Sequence, residues 1–179
     1  KCHDAIRMRA SRVSPSFDAQ FTFLQEGADE VLASCQEARD AVQNDGDDER
    51  IALGRDIALR PYRRWMAALA EEALICGRNH SCIEAGERLL EQDPSDQADV
   101  RFTLALAYAK LEDEASLDAL AKCYGTIIPA RPADDAWMGI ARLALAHKSH
   151  DMGQARQLLE HLIAVYPGCA SALITQTEL

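Results

Sequence analysis

The sequence predicts an all-α protein built from helical repeats. Apolar residues recur at spacings of three and four rather than two, and aromatic residues make up only 6% of the chain, so strand signals are almost absent. Pro61, Pro94, Pro129 and Pro167 lie 33, 35 and 38 residues apart, close to the period of about 34 of a helix-turn-helix repeat. Each interval holds two helical stripes around a polar or Gly-containing turn.

The elements follow in order. Phe17, Phe21, Phe23 and Leu24, then Ala28, Val31, Leu32, Cys35, Ala38 and Val42, predict one long helix from about Asp18. The polar run Asn44 to Asp48 predicts a turn, after which Ile51, Leu53, Ile57 and Leu59 mark a helix that Pro61 should end. From Tyr62, the stripe Trp65, Met66, Leu69, Ala70, Ala73 and Leu74 gives a helix broken at Gly77-Arg78-Asn79. Ile83, Leu89 and Leu90 give the next, stopped at Asp93-Pro94. Val100, Leu104, Ala107, Tyr108 and Leu111 mark a further helix, and Leu117, Leu120, Cys123 and Tyr124 another that ends at Gly125. Trp137, Ile140, Ala141, Ala144 and Leu145 precede the turn His147 to Asp151. Ala155, Leu158, Leu159, Leu162 and Ile163 follow it, closed by Tyr166-Pro167-Gly168, and residues from Ala170 open a capping helix.

The chain has 179 residues with 19 Lys+Arg against 29 Asp+Glu, a formal charge of −10. Nucleic acid is disfavoured as a partner, because its phosphates need the opposite sign. The one dense basic cluster, Arg60, Arg63 and Arg64, reads equally as a solvated helix surface or an anion site. No window approaches the roughly 18 apolar residues of a membrane span, and no apolar signal stretch follows Lys1. The chain does not begin with Met, which fits a trimmed fragment. Six scattered cysteines are too sparse for a stapled secreted domain, so free thiols in a reducing cytoplasm are expected.

From Arg63 onward the residues resemble the tetratricopeptide repeat (TPR) family. Met66 and Leu69 stand where that family has large apolar residues, Ala70 and Cys82 where it has small ones, and Asp93-Pro94 where it closes the unit. Gly86 and Leu89 depart from the pattern. A second unit fits through Leu104, Ala105, Tyr108 and Pro129, and a third through Trp137, Ile140, Ala141, Ala155 and Pro167. The run from Pro61-Tyr62 to Asp93-Pro94-Ser95-Asp96 is also similar to bacterial TPR proteins. The resemblance implies a right-handed solenoid of antiparallel helix pairs over residues 61–179, with residues 1–60 forming a divergent N-terminal helical cap. It also implies a concave groove lined by Arg64, Ala67, Glu71 and Leu74 in the first unit, by Asp99, Phe102, Leu106 and Ala109 in the second, and by Asp135, Met138, Arg142 and Leu145 in the third. Ala67 and Glu71 replace the Lys and Asn with which chaperone-binding members clamp a terminal carboxylate, so that ligand is not expected. The groove is either open or filled by the N-terminal helices.

Catalytic signatures are missing from the sequence: there is no Gly-x-Ser-x-Gly, no phosphate-binding Gly-rich loop and no His-Glu-x-x-His. Cys76, His80 and Cys82, and separately His147, His150 and Asp151, carry metal-ligand chemistry at poor spacing, and His161 is not aimed at the second group. The acidic run Asp45 to Glu49 lacks the alternation and terminal Glu of a calcium loop. Neither metal nor cofactor is expected. The expected function is a non-enzymatic scaffold or adaptor that binds a protein or peptide, the alternative being a regulatory or docking domain of a larger enzyme. A homodimer through Leu158, Leu162 and Val165 with Ala172, Leu173 and Ile174 is a further expectation.

Overall fold

The structure, a computed structural model, describes residues 2–42, 47–127 and 135–174. Among the described residues every regular element is an α-helix. None of these helices is long and apolar enough to cross a membrane. The contacts divide the chain into two compact units, Lys1–Thr103 and Leu104–Leu179.

In the first unit, α1 (His3–Val13) and α2 (Phe17–Asp40) precede a 28-residue helix, α3 (Asp48–Ile75), and α4 (Asn79–Gln92). Ser16 opens α2 by accepting the N–H of Ala19, and Asp47 opens α3 by accepting that of Glu49. Phe21, Leu24, Ala28, Val31 and Cys35 form the buried stripe of α2. They recur every three or four residues and so lie on one face, which packs on α3. The stripe of α3 is Tyr62, Trp65, Met66, Leu69, Ala70 and Ala73. Trp65 donates its indole N–H to the Leu24 carbonyl at 2.8 Å, and Gly27 lies beneath the same ring. A Cβ at Gly27 would stand 2.6 Å from Trp65 Cζ2, so only glycine permits this crossing.

Pro61 lies inside α3 rather than at a helix end. Residues 51–59 and the stripe from Tyr62 therefore belong to one helix, and position 60/61 falls within it. An internal proline removes one backbone hydrogen bond and costs about 3 kcal/mol. The apolar stripe on its C-terminal side, buried against α2 and α4, offsets that cost, which the local sequence rule does not weigh. Leu53 and Ile57, two of the apolar residues that mark its N-terminal half, are exposed.

The linker Asp93 to Asp99 leads into α5 (Val100–Lys110), a helix whose residues divide between the two units. The second unit continues with α6 (Glu114–Ile127), α7 (Ala136–Lys148), α8 (Met152–Val165) and the short α9 (Cys169–Ile174). Helix α6 runs past Gly125, its expected end. Pro129 and the run Asn44 to Gly46 lie outside the described residues. Leu104, Tyr108, Leu117, Ala121, Ala141 and Leu162 are among the buried residues of this unit. Leu162 covers Gly139, where a Cβ would stand 2.7 Å from its Cδ2.

One turn recurs. After α3, the N–H of Arg78 bonds the Ala73 carbonyl and that of Gly77 bonds the Leu74 carbonyl, with Gly77 at φ +71°. These two bonds satisfy carbonyls that a helix end leaves open, in the arrangement known as the Schellman motif. The same pair of bonds closes α5, from Asp113 to Tyr108 and from Glu112 to Ala109, with Glu112 at φ 60°. It closes α7 as well, from Asp151 to Ala146 and from His150 to His147, with His150 at φ 60°. Asp113 and Asp151 then cap the following helices by accepting the N–H groups of Ser116 and Gln154.

Candidate functional site

The residues expected to line a groove meet different fates. In the first unit Arg64 is exposed and donates to Asp4 of α1 at 2.8 Å, so α1 lies against this part of α3. Glu71, two turns further along α3, is exposed. Phe102 is half-buried beneath the Arg101 guanidinium, 4.1 Å from its ring centre. In the second unit Leu106 is half-buried, while Met138 is 3% and Leu145 8% exposed. The last two are core residues rather than open groove surface, on a helix that packs against α8 with the small, buried Ala141 and Ala155. Arg142 donates to Asp118 of α6 at 3.3 Å. Arg142 and the edge of Leu145 nevertheless share one polar cleft of about 570 Å3, with Glu114, Leu117, Asp118 and Ala146.

The basic cluster of α3 is internally neutralised. Arg60 and Arg63 both bond Asp56, Arg63 also reaches Gln97 at 3.2 Å and Asp93 at 3.5 Å, and Arg64 holds Asp4. The Arg63 hydrogen bond holds the Asp56 carboxyl below the usual carboxylate range, against the opposing effect of burial. Asp93 in turn accepts the Ser95 hydroxyl and the Gln97 N–H, so α3 grips the linker to α5 through its arginine.

No protein-family model matches this chain, and neither does any curated protein or solved structure.

Among the described residues no group of three or more metal-ligating side chains comes together. Cys82 is fully buried with its sulfur 4.0 Å from the Thr103 carbonyl, whereas His80 is exposed. Cys76 is half-buried, and burial first, then the Asp18 carboxylate, pushes its thiol up. His147, His150 and His161 are exposed, with His150 engaged as the turn residue that closes α7. All six cysteines are free thiols.

Sequence reading missed α1 and Glu72. The signal for α1 is the spacing Ile6, Ala10, Val13 ahead of Pro15. Glu72 is 8% exposed, its Oε2 has no hydrogen-bond partner among the described residues, and burial, aided by Glu71, pushes its carboxyl up. Its folded-state pKa therefore lies above the unfolded value of about 4.3. The ionised form opposes folding, and that opposition grows as pH rises through the folded pKa and vanishes below the unfolded one. Glu72→Gln is expected to raise the melting temperature at pH 7.5 and to leave it unchanged at pH 4. An equal change at both pH values would show that the carboxylate carries no such cost.

Proposed function

We infer that this chain is a non-enzymatic protein-interaction module of the tetratricopeptide type, a right-handed solenoid of helix pairs that binds a protein or peptide through the first helix of each pair. The observation that carries this reading is the hairpin turn repeated at 77, 112 and 150, with matching bonds each time. A repeat of about 34 residues demands such a recurrence. Burial of Met66, Leu69, Ala70 and Cys82 supports the register that the sequence resemblance implies. Six free thiols accord with a cytoplasmic protein. The displaced carboxyls of Asp56 and Asp113 serve an ion pair and a helix cap, which are structural roles.

The rim of Phe102 in the first unit and the Arg142 cleft in the second are among the surfaces accessible for this work. Affinity capture from a native lysate, with the retained proteins identified by mass spectrometry, tests the reading. A stoichiometric partner should be retained by the wild type and reduced several-fold by Arg142→Glu through charge reversal, or by Phe102→Ala through lost apolar burial, with helix content unchanged. Equal capture by wild type and both variants would remove these faces as the working surface, and the lack of any stoichiometric partner would count against the module itself.

A further inference from the structure

Helix α1 turns its apolar residues the wrong way for a core helix. Only His3 and Ala10 are buried. Ile6 is 39% and Val13 67% exposed, yet with Ala10 they occupy one helical face at spacings of four and three. Opposite them on α2 stands Phe23, 37% exposed, its ring centre 5.6 Å from that of Trp65. Together with Arg9 and Ser14 these residues form an open cleft of about 360 Å3. Its stripe matches a helix-in-groove seat, in which a visiting helix inserts side chains at matching three- and four-residue steps.

The charge around the cleft says which helix. In this chain of net charge −10, Arg60, Arg63, Arg64, Arg78, Arg88 and Arg101 each hold an aspartate. Arg9, which lines the cleft, and Arg12, one turn on, have no carboxylate partner among the described residues. Two uncompensated guanidinium groups beside an apolar stripe make a local positive rim on an acidic protein. On the α2 side the next turn beyond Phe23 carries Glu26, so the positive rim is confined to the α1 edge. We propose that the cleft between α1 and α2 docks an amphipathic helix of a partner protein, apolar on its inner face and acidic along the one edge that meets Arg9 and Arg12. This rests on the reading of the chain as an interaction module, and places the seat on a surface other than the faces of α5 and α7.

Selection of a phage-displayed library of helical peptides, about 16 residues long so as to exceed α1 by a turn at 1.5 Å per residue, tests the proposal on the full chain. Peptides enriched on the wild type should carry net negative charge and apolar residues at three- and four-residue steps. Fluorescence anisotropy of the most enriched peptide, labelled with fluorescein, should show binding at least about tenfold weaker to Arg9→Glu and to Val13→Glu, both surface changes that leave the circular dichroism spectrum intact. Enrichment of basic or uncharged peptides, or no enrichment at all, overturns the proposal. Binding that survives both substitutions but is lost in Arg142→Glu also overturns it while leaving the interaction reading in place. So does a wild-type dimer in light scattering that Val13→Glu dissociates, since the seat would then belong to a second copy.

Discussion

Trp65→Ala is expected to destabilise the first unit by about 3–5 kcal/mol, the range for truncating a large buried aromatic side chain. Three losses add at one position. The ring fills the space over Gly27, its N–H satisfies a bond to the Leu24 carbonyl at 2.8 Å, and its face supports Phe23. Urea titration followed by circular dichroism should show a lower midpoint. Trp65→Phe should cost less, because it keeps much of the ring and forfeits one hydrogen bond worth about 1 kcal/mol. A coupling experiment separates this account from a general loss of volume. Gly27→Ala pushes a methyl against Cζ2, an atom that phenylalanine lacks, so it should be harmful beside Trp65 and much milder beside Phe. Additive effects of the two changes would mean that the glycine and the indole are not in the contact described.

The second large effect belongs to Asp96. Its carboxylate accepts the N–H groups of Val100 and Arg101 at the start of α5 and bonds the Arg101 guanidinium at 2.9 Å, and both side chains are almost fully buried. Removing one partner of such a pair leaves a buried charge without compensation, a loss of about 3–5 kcal/mol. Asp96→Ala should reach this range, although the half-exposed Asp99 is also bonded to Arg101. Asp96→Asn keeps an acceptor for the backbone and suits the φ of 49°, since asparagine enters the left-handed region readily. It should therefore fall between wild type and alanine in urea midpoint. If asparagine and alanine cost the same, the charge on Asp96 rather than its capping geometry accounts for the whole effect.

Much of the helical skeleton was legible because periodicity is a local property. Helices α2, α4, α7 and α8 and the breaks at Gly77, Pro94 and Pro167 lie where three- and four-residue spacing and turn chemistry set them, although Phe17, Trp137 and Ile163 of the expected stripes are exposed. Pro61 was misread because a helix-breaking preference is local, whereas the burial that overrides it comes from α2 and α4. Leu53 and Ile57 illustrate the converse: an apolar spacing identifies a face but not whether anything covers it. The same limit applies to the groove. A repeat register orders residues along a helix, yet it could not reveal that Asp4 would reach Arg64, or that Met138 and Leu145 would be enclosed. Nor does Glu72 announce its burial, since a glutamate beside Glu71 reads as part of a solvated face.

The three matching turns have a consequence for how each bend is held. At 77 the left-handed residue is glycine, which adopts that conformation without steric cost; at 112 and 150 it is glutamate and histidine, which do not. Each of the latter carries a penalty of order 1–2 kcal/mol that the paired helices must offset. The same pair of backbone bonds thus closes three turns of unequal backbone strain. At 113 and 151 an aspartate caps the helix that follows, a bond that Arg78 does not supply to α4, so the two strained bends are held by a side-chain cap where the α3–α4 bend relies on its glycine.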